Sequence, residues 1–169
     1  MEGKLKYLRY IAYIVEILVL YVLSGTPGFM PSIMGVKPII LLPVALTIAV
    51  FEGEVPAMLY GALCGALCDI GSGTDLGLYT LTLTIMCFVL GYCASNFFVA
   101  NFLNTSIIGV FCLAALFALH FFVFCVIPEV PDLREMFLRR YLIRYIYTLL
   151  FLFPLYWFNR LFHTTMKEG

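Results

Sequence analysis

Apolar segments follow one another along this chain with almost nothing between them. Six can be delimited by polar residues or by Pro and Gly, at residues 7–23, 33–51, 55–70, 76–98, 106–127 and 141–162. Helices of about 20 apolar residues are what a bilayer's hydrocarbon core requires. Water offers no alternative home. A soluble domain of 169 residues buries only about 70% of its surface. With 63% of residues hydrophobic and 12% charged, its exterior would be a continuous apolar patch unless lipid solvated it. Strands of a membrane barrel would alternate in polarity over about ten residues, whereas these runs are continuous. The expected fold is therefore all-α: a polytopic membrane protein, a six-transmembrane-helix bundle forming one integral membrane domain over residues 1–169, with short connections and no soluble domain.

Charge excludes further classes. Ten Lys and Arg balance ten Asp and Glu, and no run of five like charges is present, so nucleic acid is not an expected partner. The six cysteines, Cys64, Cys68, Cys87, Cys93, Cys112 and Cys125, all lie in apolar stretches and read as small buried hydrophobes, not as a disulfide framework. An even number of spans puts both termini on one side. Lys4, Lys6, Arg9, Arg160 and Lys167 on that side are matched by Lys37, Arg134, Arg139, Arg140 and Arg144 on the other. The positive-inside rule thus ties, and the weight of the first span makes both termini cytoplasmic.

The second and third segments are the weakest spans. Pro38 suits the first turn of a helix, where its missing N–H costs nothing, while Pro43 is expected to kink the span. The Glu52-Gly53-Glu54 turn is expected to face water. The third segment carries a regular pattern: Gly53, Ala57, Gly61, Gly65 and Asp69 recur every four residues, stripping one helix face of bulk. Helices associate in lipid through such faces, either inside the same bundle or with a partner. Asp69 ends that face, and a carboxylate within a span needs a partner; His120 on the fifth segment or Arg144 on the sixth could supply it. The turn after it, Gly71-Ser72-Gly73-Thr74-Asp75-Leu76-Gly77, has Gly71 to end one helix and Thr74 or Asp75 to cap the next.

Glu16 lies about 13 Å into the first span, with the hydroxyls of Tyr10, Tyr13 and Tyr21 near it in sequence. It is expected to be hydrogen-bonded inside the bundle or to face a cavity or partner. Cys64 and Cys68 lie one turn apart beside Asp69, yet with only two histidines in the chain a four-ligand zinc site has no complete donor set. No cofactor is expected. No Ser/His/Asp set, carboxylate pair or HExxH motif points to catalysis, so the chain is not expected to be an enzyme. Residues 128–141 interleave Glu129, Asp132, Arg134, Glu135, Arg139 and Arg140 with Leu133, Met136, Phe137 and Leu138. They read as an interfacial amphipathic turn whose cations meet membrane lipids or an acidic partner surface.

The order of features from residue 37 to 92 resembles the rod shape-determining protein MreD family: Val36-Lys37-Pro38 leads an apolar span, followed by Gly61, Gly65, Asp69, Ser72-Gly73, Leu76-Gly77 and Gly91-Tyr92. Pro43 and the acidic turn fall outside the family pattern. The resemblance implies a non-catalytic component of the bacterial cell-elongation complex in the inner membrane. Its partners would be MreC, RodA and a class B penicillin-binding transpeptidase, and indirectly MreB, in side-wall peptidoglycan synthesis. It implies that Pro38, Gly61, Gly65, Asp69, Gly73, Leu76 and Gly77 shape the middle hairpin. In architecture the chain also resembles the substrate-binding subunits of energy-coupling-factor vitamin transporters, the alternative reading. That family usually carries an Ala-xxx-Ala face on its first span, where here Ala12 stands alone. A lipid-modifying membrane enzyme ranks third.

Overall fold

The computed structural model describes residues 2–26, 35–73, 77–97, 102–127 and 132–165. Helix α1 is Glu2–Gly25, α2 Leu41–Phe51, α3 Glu54–Ser72 and α4 Leu78–Asn96. Helix α5, Phe102–Phe121, continues through a π-helical turn, Phe122–Val126. Helix α6, Leu133–Met136, runs through a second π-helical turn, Phe137–Leu142, into α7, Ile143–Thr165. The described residues are thus mostly helical, and five runs are long and apolar enough to cross a membrane: Tyr7–Gly25, Glu54–Ser72, Leu78–Asn96, Phe102–Val126 and Arg134–Thr165.

The segment expected to span from 33 to 51 behaves differently. Of its described residues, 35–51, the helical ones form an 11-residue α2 about 16 Å long, and those before it are extended or turn-like. Pro38 explains the late start, because it disfavours helical geometry at Lys37 and cannot donate. The extended lead satisfies its backbone on α7: the Ile39 N–H donates to Thr148 Oγ1 at 3.2 Å, and the Lys37 carbonyl accepts Arg144 Nε at 3.0 Å. Non-helical backbone in a membrane protein persists where protein covers it in this way. The two prolines therefore exchange roles. Pro38 sits ahead of the helix, and Pro43, expected to kink the span, falls in α2's first turn, where no intrahelical donor is lost.

Leu41 through Ala49 are all buried, as expected for a helix that is apolar on every side. Helices α3, α4, α5 and α7 pack around α2, and α1 lies against α2 and α3. Inside this core, Asn159 Nδ2 of α7 donates to Thr47 Oγ1 of α2 at 2.8 Å. At one end of the bundle Phe51 lies 5.4 Å, ring to ring, from both Tyr156 and His163. There Arg9 grips Glu52 through two nitrogens, Nε at 2.7 Å and Nη2 at 3.1 Å. Glu52 is buried, so that part of the turn does not face water: a cation one helix away removes it from solvent. At the opposite end Tyr21, Lys37, Ser72, Tyr79 and Arg144 line a common cavity.

The expected loop at 128–141 is corrected over its described part. Residues 133–142 are helical and continue into α7, which follows from the absence of Pro and Gly over that stretch; Glu129 lies outside the described residues. The outer faces of the long helices carry exposed apolar side chains, among them Ile11, Val15, Leu59, Phe88, Phe111 and Leu150, the surface that acyl chains would solvate.

Candidate functional site

The small-residue face of α3 is consumed inside the bundle. A Cβ on Gly61 would stand 2.7 Å from the Leu83 carbonyl oxygen and 2.8 Å from Cys87 Cβ. One on Gly65 would stand 2.7 Å from both Thr80 N and Tyr79 O, with Thr80 Cα nearer still. From the other side, a Cβ on Gly91 of α4 would meet Ala57 Cβ at 2.9 Å. Backbone therefore lies on backbone along the α3/α4 seam, where small residues let dispersion and weak polar contacts act at short range. Ala57, Gly61 and Gly65 are buried in it, whereas Gly53 is exposed at the start of α3 with open space around it.

Asp69 completes the seam. Its carboxylate accepts the backbone N–H of Tyr79 at 3.2 Å and of Thr80 at 2.9 Å, and the Thr80 hydroxyl at 2.6 Å. These are donors of α4's first turn, which have no acceptor within their own helix. Helix α4 begins at Gly77, φ 58°, with no side chain to cap it, so Asp69 supplies the cap from across the hairpin and meets the positive end of the helix dipole. Gly73, φ 65°, closes α3 by donating to the Asp69 and Ile70 carbonyls. The motif residues Gly61, Gly65, Asp69, Gly73 and Gly77 are thus parts of one helical hairpin. Leu76, Thr74 and Asp75 lie outside the described residues, and Pro38 stands apart in the α2 lead.

His120 and Arg144, the partners expected for Asp69, also make other contacts. Arg144 is bonded to the Lys37 carbonyl. His120 is buried between the Tyr79 and Phe124 rings, at centroid distances of 4.5 and 4.4 Å; its Nδ1 is 3.5 Å from the Tyr141 hydroxyl, and its Nε2 has no partner among the described residues. Cys64 and Cys68 are buried free thiols, and no group of three or more His, Cys, Asp or Glu that could hold a metal occurs among the described residues.

Glu16 occupies the remaining feature, a lipid-facing groove between α1 and α7. It has a volume of about 840 Å³ and walls that include Ala12, Val19, Ile40, Phe151, Pro154 and Phe158. Glu16 is 7% exposed, and neither carboxylate oxygen has a hydrogen-bond partner among the described residues. The tyrosines near it in sequence do not take it up: the Tyr13 hydroxyl is likewise unpartnered there, and Tyr10 accepts Tyr60 through its backbone. Residue spacing alone could not reveal this groove, because α1 and α7 sit at opposite ends of the chain; the two signals available were Glu16 and the small Ala12 one turn before it. The chain matches no family model, no curated protein and no solved structure.

Proposed function

We propose that this protein is a non-catalytic component of the bacterial rod-elongation complex, an MreD-like membrane scaffold that holds a partner's transmembrane helix in the α1/α7 groove. The observation that carries the reading is Glu16. It lies nine residues from either end of the apolar run Tyr7–Gly25, about 13 Å from each, where lipid offers hydrocarbon and no hydrogen-bond donor. A buried carboxyl without a partner is costly in that setting. The occupant that relieves it brings a polar or cationic side chain to mid-membrane, which a helix does and a lipid does not. Six crossings with both termini on the cytoplasmic side of the inner membrane accompany this reading. Their support is that α2 and its extended lead touch residues at both ends of the bundle.

The test is affinity purification in mild detergent from the native host. Recovery of MreC, RodA or the class B transpeptidase supports the scaffold. Ala12→Phe, which fills the groove from a half-buried wall, should then abolish recovery while the protein still inserts and unfolds at its normal temperature. Recovery of paired ATPases with a coupling membrane subunit, or of a bound vitamin, overturns the reading in favour of a transporter subunit.

A further inference from the structure

We infer that a third pocket, at the end of the bundle remote from Arg9 and Glu52, binds a phosphate-bearing anion. It has a volume of about 310 Å³ and lies between the α2 lead and the helical run into α7, with Lys37, Met136, Arg140, Tyr141 and Arg144 in its lining. Three of these are cations, and none of the described lining residues is acidic. Met136, Arg140 and Arg144 recur every four residues across the π-helical turn Phe137–Leu142, an irregularity common at functional sites. Arg144 is preset: its Nε donates to the Lys37 carbonyl at 3.0 Å, which holds the guanidinium and leaves its two terminal nitrogens without a protein acceptor among the described residues. Asp132 and Glu135, the nearest described acids in sequence, are exposed and outside the lining. Asp69 is committed to α4.

Snorkelling alone would send these side chains outward to water. Instead a half-buried arginine is anchored to backbone and two exposed cations, Lys37 and Arg140, flank it. That arrangement repels itself when empty and matches the several acceptor oxygens of a phosphate, which arginine engages through paired N–H groups. The chemistry is shared by a phospholipid headgroup at the membrane surface and a soluble phosphate or pyrophosphate. It does not depend on the scaffold reading.

The experiment uses the full chain in dodecyl maltoside, a detergent without phosphate. Phosphatidylglycerol, diacylglycerol and inorganic pyrophosphate are titrated separately, and bound species are counted by native mass spectrometry. Wild-type protein should bind phosphatidylglycerol or pyrophosphate and bind diacylglycerol at least tenfold more weakly. Binding of phosphatidylglycerol alone identifies a lipid as the source, and competition by pyrophosphate identifies a soluble anion. Lys37→Gln with Arg140→Gln, which removes two exposed cations and no protein hydrogen bond made by their side chains, should weaken binding at least tenfold. Arg134→Gln with Arg139→Gln, an equal loss of charge outside the pocket, should change it less than threefold. Equal weakening by both pairs, or no preference for phosphate over diacylglycerol, overturns the inference.

Discussion

A single methyl group placed on Gly65 tests the α3/α4 hairpin most directly. The new Cβ would meet Thr80 N and Tyr79 O at 2.7 Å and Thr80 Cα nearer still, where ordinary contact begins at 3.4 Å, so α4's first turn must retreat by more than about 0.7 Å. All three atoms are backbone, and no rotamer change relieves the overlap. The same turn presents the Tyr79 and Thr80 N–H groups to Asp69, so retreat stretches the cap as it opens the seam. Overpacking costs about 1–3 kcal/mol and a weakened cap about 0.5–2 kcal/mol, while alanine's helix preference returns about 0.5–1 kcal/mol. Their mid-range values sum to a net loss of about 2–3 kcal/mol, or about 4–12 °C in unfolding temperature for a chain of this size. Gly71→Ala is the internal control. Its Cβ would meet only Tyr21 Cε2, at 3.6 Å, so the variant should match or slightly exceed wild type. Both are read by thermal unfolding in the same detergent. Equal midpoints for Gly65→Ala and Gly71→Ala would falsify the close seam.

Two further substitutions probe charges that the fold has buried. Asp69→Ala removes the acceptor of three α4 donors and should cost about 2–4 kcal/mol, while Asp69→Asn, keeping one acceptor oxygen, should cost less; an alanine variant as stable as wild type would mean α4 is capped otherwise. Arg9→Met leaves the buried Glu52 carboxylate without its two-pronged partner and should cost about 3–5 kcal/mol. Combining it with Glu52→Met should recover part of that loss in detergent unfolding, and a double variant less stable than Arg9→Met would contradict a pairing role for Arg9.

Much of the architecture was legible because the bilayer makes composition informative. In hydrocarbon every backbone group must be satisfied within its own helix or by protein, so long apolar runs read as helices, and α3 and α4 begin and end within two residues of their expected limits. The glycine spacing on α3 likewise announced a close contact. Its partner did not follow from spacing, since a bare face serves an intramolecular neighbour and a foreign helix equally well; only the α4 backbone lying on Gly61 and Gly65 decides it. Asp69 was recognisable as a carboxylate in need of partners, but two of its donors turned out to be backbone N–H groups of a helix terminus, which have no signature of their own in an amino-acid sequence.

The sequence by itself determined the solvent, the helical class and the places where bulk is missing or charge is stranded, because these depend on composition and on residues a few positions apart. Tertiary structure decided the rest. Thr47 with Asn159 is separated by 112 residues, Lys37 with Arg144 by 107, and Arg9 with Glu52 by 43. Those pairings anchor α2 and its extended lead, withdraw Glu52 from water and, among the described residues, leave the Glu16 carboxyl without a hydrogen-bond partner beside a groove. Local preference cannot encode them, since each depends on which helices become neighbours once the bundle has closed.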